Sequence, residues 1–351
     1  MLDIKNECVR FILLSVCIIF APTKKSPMDI LSKIKQPIEG ELIRLNEVIV
    51  QILSSTSPLL SCIVDHYLSM KGKQIRPILV LLTARLVGDI KPETIYGAAA
   101  VELLHNATLI HDDVVDESKL RRGKTTINGI WDNRIAVLAG DYFVSSALQA
   151  ALPTRSIRVM EVLGTLGRTL ACGEMDQIEV SHGEIIDEKA YFNVIRQKTA
   201  SLFIACMHIG ALTSGMSPEQ TSAVKGFGER LGLCFQIKDD TFDYFSDDTI
   251  GKPTGNDLRE GKVTLPLIFA VRNATDVERD EVMAILRQKE LSAKDIDKLT
   301  EFAKSHGGIE YAKKVMERLR TEGYAALASF GENPVVTSLK AILDYTIDRT
   351  K

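Results

Sequence analysis

The chain has 351 residues, of which 45% are hydrophobic and 25% are charged. These values are typical of a globular protein and argue against a disordered, collagen-like or polytopic membrane chain. The formal net charge is -3, from 43 basic and 46 acidic residues, and aromatic residues make up only 6%. Neither charge nor stacking capacity favours nucleic acid, so we expect no nucleic-acid partner.

The N-terminal segment and the cysteines indicate where in the cell the protein resides. Residues 11–21 form an apolar run of eleven residues, too short to cross a bilayer core, which needs about 20. A cleaved signal peptide has a compatible length, but Asp3 and Glu7 lie where it should be basic, and no small-residue cleavage site follows. We therefore expect residues 1–27 to be a disordered or interfacial extension, or translation to start at Met28. Six cysteines without a C-x-x-C pair predict reduced thiols and a cytoplasmic protein.

From residue 28 onward the apolar residues recur at helical spacing, as in the segment 38–53. Prolines mostly stand near the starts of such segments, where a missing N–H costs little. Asn128-Gly129, a common hairpin pair, lies in a polar connection rather than between β-rich runs. The longest segments exceed the length of a typical strand and lie near 92–115, 130–151, 156–181, 187–214 and 218–246. Since no linker or repeat divides them, we predict a single all-α domain over 28–351.

Two acidic clusters share the pattern D-D-x-x-D, each toward the end of a long apolar helix. The first contains Asp112, Asp113 and Asp116, and the second contains Asp239, Asp240 and Asp243. In each cluster the first and last carboxylates share a helix face, because residues four apart are neighbours there. Like charges at this spacing destabilise the helix, and the macrodipole disfavours anions at its C-terminus. Folding alone would not select this arrangement.

A bound divalent cation would offset the repulsion within these clusters. Oxygen ligands suit Mg²⁺ or Ca²⁺, and Mg²⁺ typically uses one or two carboxylates together with substrate phosphates. An EF-hand is excluded, because neither cluster has its alternating ligands or central glycine. A solvated acidic helix end is the alternative for either cluster taken alone, but two copies in apolar helices favour the metal site.

Basic residues in compact groups could hold the phosphates on the side away from the metal. Each one alone is better explained by an exposed, solvated side chain, so the joint pattern carries the hypothesis. His105 lies two helical turns before Asp112 and therefore on the same face. Arginine offers a planar fork for phosphate and lysine a point charge; the residues are Lys73, Arg76, Arg121, Arg122, Lys198 with Thr199, Lys252 and Lys262.

In sequence order, these residues resemble the trans-polyprenyl diphosphate synthase family, most closely its octaprenyl- and solanesyl-type members. The resemblance spans residues 28–351 and rests on GKQIRP (72–77), ELLHNATLIHDDVVDESKLRRGKTT (102–126), LAGDY (138–142), QKTA (197–200), FQIKDDTFD (235–243) and GKPTGNDLREGKVTLPL (251–267). It implies an antiparallel helix bundle around a deep central cavity, usually as a homodimer.

The resemblance also implies a role for each matching residue. The six aspartates would hold several Mg²⁺ ions that bridge an allylic diphosphate. Lys73, Arg76, His105 and Arg122 would bind isopentenyl diphosphate. The allylic diphosphate would meet another basic and polar group: Arg121, Lys198, Thr199, Gln236, Lys252 and Lys262. With the aspartates, Lys198 would form the catalytic set.

The implied reaction is head-to-tail chain elongation. Positive charge would neutralise the departing pyrophosphate, the isopentenyl double bond would attack the allylic cation, and a proton would be lost to pyrophosphate. Apolar helix faces would exclude water, which would otherwise capture the cation. A peripheral membrane contact could receive the product.

The helix before Asp112 bears on product length. Thr108, Leu104 and Val101 precede that aspartate by about one, two and three turns, and a growing hydrocarbon would run along them. Related enzymes with short products often carry bulky aromatics four and five residues before the first aspartate, where this chain has Thr108 and Ala107. These small residues predict a deep channel and a long all-trans product.

Three alternatives remain open from the sequence. A farnesyl or geranylgeranyl diphosphate synthase would share every motif. A terpene cyclase would share the first acidic cluster, but its second metal motif normally differs, and the isopentenyl-site cations favour condensation. A non-catalytic subunit of a heteromeric synthase would tend to lose aspartates, whereas all six are present here.

Overall fold

The computed structural model describes residues 30–70, 72–180, 187–245, 255–288 and 290–349. The expected extension over 1–27 lies outside these ranges. The described chain forms the following α-helices: α1 (Ile30–Lys35), α2 (Glu39–Leu53), α3 (Pro58–Ser69), α4 (Ile75–Arg85), α5 (Pro92–Val115), α6 (Ile127–Ile130), α7 (Asn133–Ala151), α8 (Ile157–Val180), α9 (Glu188–Ile195), α10 (Ser201–Ser214), α11 (Pro218–Phe242), α12 (Asn256–Arg259), α13 (Leu265–Arg272), α14 (Asp276–Leu286), α15 (Ala293–Ser305), α16 (Gly308–Leu327) and α17 (Pro334–Asp348).

The five long helices predicted from the sequence are confirmed as α5, α7, α8, the α9–α10 pair and α11. Four helices begin with a proline, at Pro58, Pro92, Pro218 and Pro334, where no intrahelical N–H bond is lost. Between α9 and α10 the helix widens into a π-helical turn, Arg196–Ala200. The fold class is therefore all-α, as predicted.

One small hairpin departs from the helical pattern. Strand β1 (Leu120–Arg121) pairs antiparallel with β2 (Lys124–Thr125). Its two-residue turn is Arg122-Gly123, with φ values of 52° and 75°, the left-handed conformation that matches the twist of paired strands. The prediction that Asn128-Gly129 lies in a polar connection is wrong, because both residues lie in the short helix α6.

Helix α10 is the centre of the bundle, since it packs against α4, α5, α8 and α11. Its apolar side chains have buried positions around most of its circumference, including Phe203, Cys206 and Ile209, as expected for a helix surrounded by others. A smaller core lies beneath α13 to α16 and meets the main core at Val263. Tyr244, just after the end of α11, belongs to this smaller core.

Helix α7 has two apolar faces. The small residues Ala136, Ala139 and Gly140 are buried, and α7 packs along α5. By length and composition alone, Asn133–Thr154 could cross a membrane, although a core helix meets the same criterion. Leu138 on the other face and Leu152, the C-cap of α7, are 64% and 66% exposed, which leaves an apolar stripe on the surface of the chain.

Gly210 sets the distance between α10 and α4. A Cβ at this position would lie 2.6 Å from the carbonyl oxygen of Val80 and 2.7 Å from Cβ of Thr83, so a backbone or a branched carbon would have to move. We expect Gly210→Ala to lower the free energy of unfolding by about 1–3 kcal/mol, although alanine favours a helix by roughly 1 kcal/mol. Chemical denaturation measures this change.

Gly226→Ala in α11 is the matched control, because the nearest atom to its added Cβ is 3.5 Å away. This substitution should be neutral or stabilising. Equal effects of the two alanines would contradict the close packing of α10 on α4.

Candidate active site

Each acidic cluster lies at the C-terminal end of its helix, as predicted. Asp112 and Asp113 are in the last turn of α5, and Asp116 is its C-cap. Asp239 and Asp240 are in the last turn of α11, and Asp243 is its C-cap. The carbonyl ends of two long helices therefore add to the negative potential of the carboxylates.

The second aspartate of each cluster is turned into the protein. Asp113 is 5% exposed and accepts a hydrogen bond of 2.8 Å from Nε of Arg121. Asp240 is also 5% exposed and accepts from the hydroxyl of Tyr191 at 2.5 Å and from Nε2 of Gln236 at 2.7 Å. Since adjacent helical residues point about 100° apart, the neighbouring Asp112 and Asp239 point elsewhere.

Asp112 and Asp116 share their surroundings with Glu174 and Lys198. Burial, followed by the charge of Glu174, raises the pKa of Asp112 to about 6, while Lys198 lowers it. Burial and then Glu174 also raise the pKa of Asp116, against Lys262 and Lys198. Glu174 and Lys198 therefore act on both aspartates and Lys262 acts on Asp116, so these five charged groups form one electrostatic neighbourhood.

The second cluster has its own added acid, Asp257. Asp243 accepts hydrogen bonds from the backbone N–H groups of Asn256 and Asp257, at 2.9 and 3.0 Å, and so caps the short helix α12. Burial and then the charge of Asp243 raise the pKa of Asp257 to about 6. Arg349, near the described C-terminus, donates to Asp239, and its guanidinium lies 4.5 Å from the ring centroid of Phe235.

The π-helical turn links the two clusters. From this turn, Nζ of Lys198 lies 2.6 Å from Glu174 and donates to Gln177 at 2.9 Å, both on α8. The next residue, Thr199, donates to Gln236 on α11 at 2.6 Å. Extra residues in a π turn change the direction of consecutive side chains, and such turns are frequent at functional sites. The two predicted phosphate ligands therefore point toward opposite walls.

A second basic group lies behind α5. His105 is 7% exposed, and burial, followed by the charges of Arg76 and Arg122, holds its pKa well below the usual range. Its imidazole is therefore neutral. Nε of Arg76 is buried and has no hydrogen-bond partner in the described chain. Lys73 is placed differently, since its Nζ donates to the hydroxyl of Tyr345 on α17 at 2.6 Å.

The hairpin and Gly72 position Arg122. Nη1 of Arg122 donates to the carbonyl of Met70 at 3.2 Å. A Cβ on Gly72 would lie 2.5 Å from that Nη1 atom, so the guanidinium rests directly on the glycine backbone. Only glycine permits this approach, which explains a glycine beside the basic pair of the GKQIRP segment.

The four predicted channel residues are placed along α5. Val101, Leu104 and Ala107 are at most 9% exposed, and the hydroxyl of Thr108 donates to the carbonyl of His105 at 2.8 Å. A separate groove of about 550 Å³ lies against α8 and α10, lined by Val162, Leu166, Ile204 and Ala205 among others. Its lining residues include none of the four, so the channel residues and this groove are distinct features.

Several residues of the site were missed in the sequence. They are Glu174, Gln177, Tyr191, Asp257 and Arg349. Asp257 lies in the GKPTGNDLREGK segment and could have been recognised as a further acid. The others come from α8, α9 and the C-terminus, where no local pattern indicates them. Lys252, a predicted phosphate ligand, lies outside the described residues.

The chain is similar in sequence to proteins of known function. Residues 57–303 match the polyprenyl synthetase family. The octaprenyl diphosphate synthase of Escherichia coli K12 is 32% identical over 322 residues, which cover 92% of this chain and 99% of that protein.

Two solved structures extend the comparison. A polyprenyl synthase from Caulobacter crescentus, complexed with calcium and isoprenyl diphosphate, has a TM-score of 0.84 and 31% identity, covering 94% of this chain and 100% of that one. A geranylgeranyl pyrophosphate synthase from Bacteroides thetaiotaomicron has a TM-score of 0.79 and 38% identity, covering 92% and 100%. This chain belongs to the polyprenyl synthetase family, whose members transfer prenyl groups.

Proposed function

We propose that this enzyme condenses isopentenyl diphosphate with an allylic diphosphate to give a long-chain all-trans polyprenyl diphosphate. The observation that carries the proposal is the π-helical turn between the two acidic clusters. Lys198 faces Asp112 and Glu174, while Thr199 is hydrogen-bonded toward Asp240 through Gln236. A diphosphate at this turn would lie between both sets of carboxylates.

The donor set suits Mg²⁺ that enters together with a diphosphate. In the described ranges no three His, Cys, Asp or Glu side chains form a ready-made metal cluster, and Mg²⁺ commonly completes its shell with phosphate oxygens. We propose Asp112, Asp116 and Asp239 as the principal ligands, with Asp243 at the edge. Asp113 and Asp240 would support them from behind, because each already accepts internal hydrogen bonds. When bound, the ions would stabilise negative charge on the leaving pyrophosphate.

The protein's own groups would then bind, orient and exclude water. Lys198 and Thr199 would hold the allylic diphosphate, with Lys262 on its other side and Arg121 keeping Asp113 in place. The allylic C–O bond breaks and its electron pair leaves with pyrophosphate. The isopentenyl double bond forms the new C–C bond, and its lost proton goes to a pyrophosphate oxygen. The buried apolar residues of α5 would keep water from the cation.

Isopentenyl diphosphate would occupy the basic group behind α5. Arg76, Arg122 and Lys73 supply charge, and neutral His105 can donate one hydrogen bond. The unpartnered Nε of Arg76 supports this assignment, since a buried donor without a partner is costly and a phosphate oxygen would satisfy it.

The apolar stripe on α7 supports a homodimer. Leu138, Leu148 and Leu152 are exposed on one chain, and Ile157, at the start of α8, is 78% exposed. A second copy covering this stripe would remove it from water. We also propose a cytoplasmic location, which the buried thiols of Cys206 and Cys234 support, with residues 28–351 as one synthase domain.

Incubation with farnesyl and isopentenyl diphosphates and Mg²⁺, followed by sizing of the dephosphorylated products, tests the activity. Separate Asp112→Ala and Asp239→Ala variants should each lose about 10²–10³ in kcat, by analogy with the removal of one charge-stabilising group from an active site. Asp276 is an exposed acid on α14, so Asp276→Ala is the control and should have the kcat of the wild type. Full turnover after either motif substitution would exclude the proposed site.

Gly72→Ala tests the isopentenyl subsite. The added Cβ would displace the Arg122 guanidinium, so we expect KM for isopentenyl diphosphate to rise about tenfold, equivalent to about 1.4 kcal/mol, which is close to the lower end of the range for one hydrogen bond to a charged group. KM for the allylic substrate should change less than twofold. Gly40→Ala, with no atom within 4 Å of its added Cβ, is the control. A larger effect on the allylic substrate would assign Arg122 to the other subsite.

Ala107→Phe and Thr108→Phe test the channel. Phenylalanine at either position should block extension along α5, because the wall is close-packed, and shorten the main product by several isoprene units. Product sizing measures the change, and Thr108→Val is the control of nearly unchanged volume. A wild-type enzyme that already stops at geranylgeranyl diphosphate would favour the short-chain alternative. Unchanged product length in both phenylalanine variants would show that the growing hydrocarbon does not run along this face of α5.

A further inference from the structure

Tyr191 contacts the second acidic cluster but belongs to none of the motifs recognised in the sequence. It lies on α9, is 9% exposed, and packs edge-on against Phe192 with ring centroids 5.5 Å apart. Its hydroxyl donates to Oδ2 of Asp240 at 2.5 Å. The other oxygen, Oδ1, accepts from Nε2 of Gln236 at 2.7 Å. Both oxygens of this buried carboxylate are therefore held by the protein.

The hydrogen bonds continue to the diphosphate subsite. Oε1 of Gln236 accepts from Thr199 at 2.6 Å, so the series runs from Tyr191 through Asp240 and Gln236 to Thr199. Tyr191 and Thr199 lie on the continuous helical segment from α9 through the π turn. Gln236 and Asp240 are one turn apart on α11. The series thus joins this segment to α11 at two points, Tyr191 with Asp240 and Thr199 with Gln236. It links a proposed diphosphate ligand to an acidic cluster.

A carboxylate has capacity for about four hydrogen bonds or metal contacts, so these two do not saturate Asp240. They do fix its rotamer, and with it the last turn of α11, from which the adjacent Asp239 projects. Networks of this kind in a low-dielectric interior strengthen one another. A displacement of Thr199 by a bound diphosphate would be transmitted to Asp240 through two hydrogen bonds.

We infer that Tyr191 is a positioning residue, which orients the second acidic cluster for metal and couples metal binding there to the occupancy of the allylic subsite. This inference rests on the proposed function of the two clusters. Tyr191 acts through Asp240, to which its hydroxyl donates. A purely structural role, in which Tyr191 only fastens α9 to α11, is the competing explanation.

Tyr191→Phe separates the two explanations, because it keeps the ring and removes only the hydroxyl. Loss of one hydrogen bond to a charged group should raise the Mg²⁺ concentration for half-maximal activity about tenfold and raise KM for the allylic diphosphate in parallel. KM for isopentenyl diphosphate should stay within twofold of the wild type. In the wild type, pyrophosphate should tighten Mg²⁺ binding, measured by calorimetry, and this effect should shrink in the variant.

Tyr311→Phe is the matched control. The hydroxyl of Tyr311 donates to Glu188 at 2.7 Å, so this second phenol–carboxylate bond fastens the same helix, α9, three residues from Tyr191. It should lower the thermal midpoint without changing the Mg²⁺ requirement. If both variants changed only the thermal midpoint, or changed the Mg²⁺ requirement equally, Tyr191 would be structural and the inference wrong.

Two further variants keep the test decisive. If Tyr191→Phe does not fold, Gln236→Leu breaks the same series at its centre and should give the same raised Mg²⁺ requirement; an unchanged requirement would overturn the inference. Asp239→Ala distinguishes the inference from the proposed function. An inactive Asp239→Ala together with a wild-type Mg²⁺ requirement in Tyr191→Phe would refute the inference alone, whereas an active Asp239→Ala would refute the proposed function.

Discussion

Mutual repulsion among carboxylates is the constraint around which this site is built. Two helices end in acidic clusters, and Glu174 and Asp257 add further acids to them, so that burial and like charge raise the pKa values of Asp112 and Asp257 to about 6. Helix C-termini increase the negative potential further. Such an arrangement costs stability in the chain alone, and in the proposed function cations and a diphosphate would offset that cost. The cations would in turn stabilise the charge of the leaving pyrophosphate.

The rest of the molecule keeps those charges at fixed positions. Helix α10 supplies the rigid centre, and its close contact with α4 through Gly210 holds Arg76, at the start of α4, close to His105 of α5. The π turn directly before α10 directs Lys198 toward α8 and Thr199 toward α11. Internal partners for Asp113 and Asp240 fix the clusters from behind. Packing and polar contacts therefore act together, since neither would orient the carboxylates alone.

The symmetry of the two clusters is only partial. In both, the second aspartate is buried and bound by a neighbour, but the partner is a guanidinium from the hairpin at Asp113 and a phenol at Asp240. Arg121 brings a full positive charge to Asp113, whereas the phenol of Tyr191 brings none to Asp240, whose pKa burial raises to about 7. In the second cluster the guanidinium, that of Arg349, pairs with Asp239 instead.

Local sequence determined the helices, the acidic clusters and the small residues at positions 107 and 108. Helical periodicity and proline placement act over a few residues, so they can be recognised without a structure. Tertiary structure decided which aspartates face inward and which residues hold them, because Tyr191 is 49 residues from Asp240 and Arg349 is 110 from Asp239. It also decided the Arg122-Gly123 turn, where the pairing of β1 with β2 outweighs the usual preference against a left-handed arginine. Contacts of such sequence separation depend on how whole helices pack, which no local pattern contains.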